Sequence, residues 1–420
     1  MADEAERLAE IYRREVGRCT ATLIRVLGDI DLAEDAVAEA FAIAAAQWPK
    51  NGVPPNPGGW ITVTARNRAI DRLRREVTRD ERHIAAHRMQ SDDMDDDPHF
   101  GPQSESSHEL DELVEAVADD QLRLMFLCCH PALSADAQVA LTLRLLGGLE
   151  TSEIASAFLV PEATMAQRLV RAKRKLRDNH ASYRVPRDAE LPDRLNSVLA
   201  AVYLIYTEGH TATSGSSLFR VDLSSEAIRL GRVLTELMPD EAEAVGLLAL
   251  MILSEARRPA RTATDGSLVR LADQDRTLWD SDRIAEGQDL VRTCLRRNNP
   301  GPFQIQAAIA AVHADAHRAE DTDWSQITDL YDHLLAIRPN SVVALNRAVA
   351  VAELNGATAG LEALEALDPH GFTDYQPYHA ARADLLARAG RVQDARDAYN
   401  RAIELSDNPI ERDFLERRRP

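Results

Sequence analysis

The stretch Leu143-Arg-Leu-Leu-Gly-Gly-Leu-Glu-Thr-Ser-Glu-Ile-Ala-Ser-Ala-Phe-Leu-Val-Pro-Glu-Ala-Thr-Met-Ala-Gln-Arg-Leu-Val-Arg-Ala-Lys-Arg-Lys-Leu-Arg177 reads as a helix, a glycine break, a short helix, a proline turn and a longer third helix. Thr151 or Ser152 is the expected cap of the short helix. Over Ala163–Arg177 the 3.6-residue period sends Met165, Leu169, Ala172 and Leu176 inward. Thr164, Arg168, Arg171 and Lys175 share the opposite face, with Gln167 beside them. A helix-turn-helix that enters a major groove has this layout, its second helix leading with N-terminal residues. Many helical hairpins bind no nucleic acid, so the motif alone leaves a purely structural reading open.

A second basic helix lies upstream, at Trp60-Ile-Thr-Val-Thr-Ala-Arg-Asn-Arg-Ala-Ile-Asp-Arg-Leu-Arg-Arg75. Trp60, Thr64, Asn67, Asp71 and Arg74 fall on one face, with Arg66 alongside, while Ile61, Ala65, Ala69 and Leu73 can pack inward. An aromatic followed by arginines can stack on bases and hold phosphates, and it can equally be a solvated face. Charge distribution weighs on that choice. The chain of 420 residues carries a formal net charge of -19. Yet Trp60–Arg88 holds eight arginines against four acids, and Thr164–Arg187 holds eight Lys/Arg against Asp178 alone. Two basic clusters in an acidic chain predict two contact points on a polyanion.

Between these landmarks the chain reads as helical almost throughout. Asp31–Trp48 is an amphipathic helix whose Leu32, Ala36, Val37, Ala40, Phe41 and Ala44 form an apolar stripe. Asp31, Glu34, Asp35 and Glu39 lie largely away from it. Those acids are either solvated or a docking face for a basic protein, since carboxylates repel nucleic acid. Residues 89–108 are acidic and broken by Pro and Gly, the composition of a linker. From about 186 to the end a third region begins. There Tyr331, Leu364 and Tyr399 recur at intervals of 33 and 35 residues, and Ala383, Leu386, Gly390, Ala395, Tyr399 and Ala402 follow a tetratricopeptide-like spacing. Phe303–Pro339 and Asn340–Leu367 fit as degenerate members. The expected fold is all-α. Four cysteines, an acidic N-terminus and the lack of a long apolar run point to a cytoplasmic protein without disulfides or membrane spans.

Leu32–Phe41 followed by Pro57–Arg75 resembles region 2 of extracytoplasmic-function sigma factors, and Val160–Leu176 resembles their region 4. The order of the blocks also fits, over about the first 185 residues. The remainder is similar to the tetratricopeptide-like C-terminal extension of one subgroup, through Tyr203–His210, Asp273–Asp280 and Tyr378–Asp384. The resemblance implies a region 2 domain at 1–88, an acidic linker at 89–108, a region 4 helix-turn-helix domain at 109–185 and a helical-repeat extension at 186–420. It implies core RNA polymerase and promoter DNA as partners. Asp31, Glu34, Asp35 and Glu39 would dock on polymerase. Trp60, Thr64, Arg66, Asn67 and Arg74 would meet the −10 element, with the 51–59 loop receiving a flipped base. Thr164, Gln167, Arg168, Arg171 and Lys175 would read the −35 element. The repeat surface would take a protein or peptide. Ala38 stands where the family often has Gln, and Ala166 where Lys is usual in the recognition helix.

Other signals are weaker. Adjacent cysteines in Cys128-Cys-His130 cannot easily share a tetrahedral ion, so packed thiols are expected and no metal or cofactor. Glu208, His210, Asp273, Asp275 and Asp280 have no nucleophile motif or phosphate loop beside them, so no enzyme is expected; capping and buried ion pairs suit Asp273–Asp280 better than a share in a ligand-binding surface, the other reading of those acids. A competing class is a helix-turn-helix transcriptional regulator fused to a repeat scaffold, which would have no use for the acidic helix.

Overall fold

The computed structural model describes residues 2–85, 120–158, 160–179, 181, 183–187, 189–212, 218–367 and 372–420, with side chains of the first stretch described over 7–72. The chain is 77% helical, with 18 helices and no strand among the described residues. It divides into two compact units, Met1–Ala201 and Val202–Pro420. The 89–108 segment lies outside the described residues.

The first unit opens with α1 (Ala2–Leu27), α2 (Ile30–Asn51) and α3 (Pro57–Ala85), which pack against one another. Asp29 caps α2 by accepting from the Leu32 amide at 2.8 Å. Ala33, Ala36, Val37, Ala40, Phe41, Ala44 and Trp48 form its buried stripe, and the run of alanines lets neighbouring helices approach closely. On α3, Ile61, Ala65 and Ala69 are buried as their spacing predicts; Leu73 lies outside the described side chains. Asn56 starts α3: its carboxamide oxygen accepts from Gly59 N at 2.9 Å, and Pro57 takes the first helical position. The connection expected over 51–59 is therefore only 52–56.

The second half of this unit comprises α4 (120–128), α5 (Ala135–Leu145), α6 (Thr151–Ala157) and α7 (Glu162–Asp178). The cap of α6 is Glu150 and not Thr151 or Ser152. A reciprocal box explains it: the Glu150 side chain accepts from the backbone of Glu153, whose carboxylate accepts from Glu150 N at 2.7 Å. Met165, Leu169, Ala172 and Leu176 are buried on α7, as expected. Gly17 of α1 faces the α5–α6 turn, where a Cβ would lie 2.8 Å from the Leu146 carbonyl oxygen. Cys128 and Cys129 are buried; Cys128 Sγ donates to Leu141 O and Cys129 Sγ meets Thr142 Oγ1, each at 3.8 Å.

The second unit takes in the later part of α8 (Leu191–His210), then α9 (Val221–Leu237), α10 (Ala242–Ala256), α11 (Ser281–Arg297), α12 (Pro302–Asp315) and α13 (Trp324–Ile337). The central helix, α10, is buried nearly all round, with only Glu243 and Ser254 less than fully covered. Then follow α14 (Ser341–Asn355), α15 (Ala357–Glu365), α16 (Gln376–Arg388), α17 (Val392–Glu404) and α18 (Pro409–Arg418). Consecutive pairs α12–α13, α14–α15 and α16–α17 pack as hairpins. Tyr399 is buried among Ala383, Leu386, Ala395 and Ala402, small residues that leave room for its ring. Asp273, Asp275 and Asp280 cap and pair as expected, but at the surface. Asp273 meets Arg270 at 2.6 Å with about half its side chain exposed. Asp275 holds Thr277 N, and Asp280 accepts from Asp282 N and Arg283 N to start α11. The buried ion pairs expected there are exposed ones, worth correspondingly little. No helix among the described residues is long and apolar enough to cross a membrane.

Candidate nucleic-acid interface

Trp60 sits in the first turn of α3, its ring edge-on to Trp48 at 5.4 Å between centroids. That contact fixes the indole where α2 ends and α3 begins while leaving it partly exposed. Thr64 is partly exposed, one turn further along. Arg66 and Asn67 are exposed, and neither makes a side-chain hydrogen bond or ion pair among the described residues. Arg74 lies outside the described side chains. The arrangement is an anchored aromatic followed by unsatisfied polar groups on one rigid helix, suited to stacking and hydrogen bonding with bases.

On α7 the residues opposite the buried stripe are open. Gln167, Arg171 and Lys175 are exposed, and Thr164 and Arg168 are partly so. Arg171 donates only to the Gln167 carbonyl at 3.3 Å, and Lys175 makes no ion pair among the described residues. This row is an open polar surface that runs from the first turn of α7, at Thr164, to its last, at Lys175, and carries three cations.

The acidic helix is less solvated than its pattern predicts. Lys173 of α7 is only 13% exposed and reaches both Glu34 Oε2 at 2.7 Å and Asp31 Oδ1 at 2.8 Å. Arg177 adds a second contact to Asp31 at 2.7 Å, and Arg144 of α5 pairs with Glu34 Oε1. Burial opposes ionisation of Asp31, but Lys173 and Arg177 prevail and hold its carboxyl below the ordinary range. Burial likewise works against the Lys173 charge, and Glu34 with Asp31 raise it regardless. Asp35 pairs with Arg72 across α2 and α3 at 2.9 Å. Glu39 is exposed and makes no ion pair among the described residues. Thus α7 has two charged faces: one open, one clasped to α2. Arg25 and Arg123 flank the fully buried Asp120, at 2.8 and 2.9 Å, and extend the clasp from α1 to α4. Tyr183 Oη completes it, within 2.6 Å of Ala21 O and 2.9 Å of Asp120 O.

Sequence reasoning missed Lys173, Arg177 and Arg144. A faint signal was available: Lys173 flanks the Leu169–Leu176 stripe, at the edge of the buried face where a long cation can reach a neighbouring helix.

Residues 11–79 match sigma-70 region 2, and residues 123–176 match sigma-70 region 4. The chain belongs to the sigma-70 family, whose members bind core RNA polymerase and promoter DNA. Residues 194–295 match a family of unknown function, DUF6596. An uncharacterized protein of Rhizobium meliloti (strain 1021), R00370, is 40% identical over 393 residues, covering 94% of this chain and 90% of the relative. No solved structure matches the chain.

Proposed function

We propose that this chain is an extracytoplasmic-function sigma factor that guides core RNA polymerase to a restricted set of promoters. It acts by binding and strand opening, with no bond-making step of its own. The observation that carries the reading is the pair of open helical faces, Trp60 to Asn67 on α3 and Thr164 to Lys175 on α7, each within a matched sigma region. In this reading Trp60, Thr64, Arg66, Asn67 and Arg74 capture and open the −10 element. Thr164, Gln167, Arg168, Arg171 and Lys175 read the −35 element, and Asp31, Glu34, Asp35 and Glu39 dock on polymerase. The domains run 1–88, 89–108, 109–185 and 186–420, and the chain works in the cytoplasm. Its helical hairpins form a tetratricopeptide-like extension that regulates the factor or stabilises its polymerase complex.

The test is run-off transcription from a promoter library with purified core enzyme and the full chain. Discrete promoter-specific transcripts are expected; their absence, with no binding to core, would overturn the reading. A helix-turn-helix regulator is the second reading, favoured by one observation: Asp31 and Glu34 already have intramolecular partners and need no polymerase to satisfy them. Such a protein binds duplex DNA tightly without core enzyme, which a mobility-shift assay separates from the first reading.

A further inference from the structure

Region 4 covers part of the acidic face of α2. Asp31, Glu34 and Ala38 follow one line along that helix, spaced three and four residues apart. All four carboxylate oxygens of the two acids are taken by cations of α5 and α7. Lys173 reaches Asp31 Oδ1 at 2.8 Å and Glu34 Oε2 at 2.7 Å, Arg177 reaches Asp31 Oδ2 at 2.7 Å, and Arg144 takes Glu34 Oε1. Asp35 meets Arg72 of α3 instead, and Glu39 is exposed. The four acids are thus divided, two under region 4 and two clear of it.

The seam is packed as well as paired. Gly17 of α1 runs against the end of α5, so close that a Cβ would stand 2.8 Å from Leu146 O and 3.2 Å from Leu146 Cα. Gly148, at a φ of +70°, brings the following turn onto α1: its own Cβ would lie 2.6 Å from Val16 Cγ1 and 2.9 Å from Tyr12 Cε1. Leu145 and Leu146 are buried. Where Tyr12, Glu34, Ala38 and Arg144 meet, the seam leaves a cavity of about 20 Å³, little more than one water molecule needs. Surfaces pressed together this tightly and matched in charge make a specific contact. It can also be opened from its rim, where Asp31 and Arg177 are each about half-exposed. A partner that brings its own cations can displace Arg177 first and Lys173 after it.

We propose that the free chain rests in this closed form, with region 4 holding the α2 face as an intramolecular competitor of core polymerase. The inference rests on the proposed function, which makes Asp31 and Glu34 polymerase contacts. Carboxylates whose oxygens all accept from within the chain cannot accept from polymerase until region 4 leaves α2. The measured affinity for core is then the intrinsic affinity reduced by the fraction of chains that are open. Two contacts hold the closed form: the charge clasp, and the seat of Gly17 on Leu146. Only the clasp uses residues that polymerase would need, so Gly17 separates closure from docking.

Energy transfer between dyes placed by Lys50→Cys on α2 and Asp136→Cys on α5 reports closure in the full chain. Both positions are exposed, while Cys19, Cys128, Cys129 and Cys294 are buried and escape labelling. Purified core enzyme should lower the transfer in this otherwise unaltered chain. Gly17→Leu wedges the seat apart without changing a charge. Its transfer should be low before core is added, and it should bind core severalfold more tightly. Arg144→Met, which frees one Glu34 oxygen, should move both readings the same way by less. It carries the test should Gly17→Leu fail to fold by circular dichroism. Core binding to the unaltered chain with no change in transfer would overturn the inference, and so would an opened Gly17→Leu chain of unchanged affinity. Core that binds neither the closed nor the opened chain would overturn the proposed function itself, and this inference with it.

Discussion

Lys173 Nζ lies 2.7 Å from Glu34 Oε2, although 139 residues of chain separate them. The ammonium is 13% exposed and the carboxylate 18%, so water screens the pair weakly. Removing one partner leaves a shielded charge uncompensated, at a cost on the order of 3 kcal/mol. A Lys173→Ala, Arg177→Ala variant should therefore melt earlier in urea. On the proposed function the same variant should bind core polymerase severalfold more tightly, because Asp31 loses both its partners and Glu34 keeps only Arg144. Unchanged affinity in a competition assay would detach these acids from polymerase docking.

Asn67 is the cleaner probe of the α3 face. Trp60→Ala also strips a ring from Trp48, so a loss there mixes packing with recognition. Asn67 is exposed, and Asn67→Ala removes no side-chain hydrogen bond or ion pair among the described residues. It should leave thermal stability within about 0.5 kcal/mol of wild type. Permanganate reactivity of the −10 bases in the polymerase complex should fall about tenfold, the loss of one or two base hydrogen bonds. Wild-type reactivity would exclude Asn67 from strand opening.

Lys175 and Arg171 offer a test through ionic strength. If each neutralises a phosphate, Lys175→Ala should lower the slope of log affinity against log salt by about one. Thr164 and Gln167, nearer the start of α7, should instead change which −35 sequence is preferred. A mutant of Lys175 with unaltered salt slope would place that lysine off the DNA.

The two units should answer acid differently. His210, half-ringed by Glu255 and Tyr206, is taken down to about 4 chiefly by burial, as is His313. Both values lie below the unfolded 6.5, so the unfolded chain binds more protons between about pH 6.5 and 4, and stability falls as pH drops through that window. Each histidine contributes on the order of 3 kcal/mol over the full interval. Asp31 behaves otherwise. Its folded pKa is depressed, so its contribution is present above about pH 4 and disappears only as pH falls through the lower folded value. Lys173 is raised above 10.5, so its share is lost only in strong alkali. Calorimetry from pH 7 to pH 5 should show the second unit's transition moving down further than the first's, where burial holds a single described histidine, His130, below its ordinary range. His210→Gln should flatten that shift; an unaffected transition would mean the histidines are solvated.

Much of the fold was legible because it rests on local period. Met165, Leu169, Ala172 and Leu176, like Ile61, Ala65 and Ala69, are spaced for burial whatever they pack against. The cap at Glu150 was not legible, because a glutamate rarely caps and only its reciprocal bond with Glu153 makes it one. The candidate site was half legible. Open faces can be read from the residues opposite a buried stripe, as with Thr164 and Lys175. The engagement of Asp31 and Glu34 could not be read, since it depends on how α7 meets α2 across more than a hundred residues.

The clasp between α2 and α7 sets an order of events under the proposed function. Asp31 and Glu34 cannot serve polymerase and Lys173 at once, so engaging the enzyme and loosening the DNA-reading helix become a single exchange. A free factor would then be poor at finding promoters alone. It would wait for its enzyme, and stray encounters with the chromosome would not sequester it.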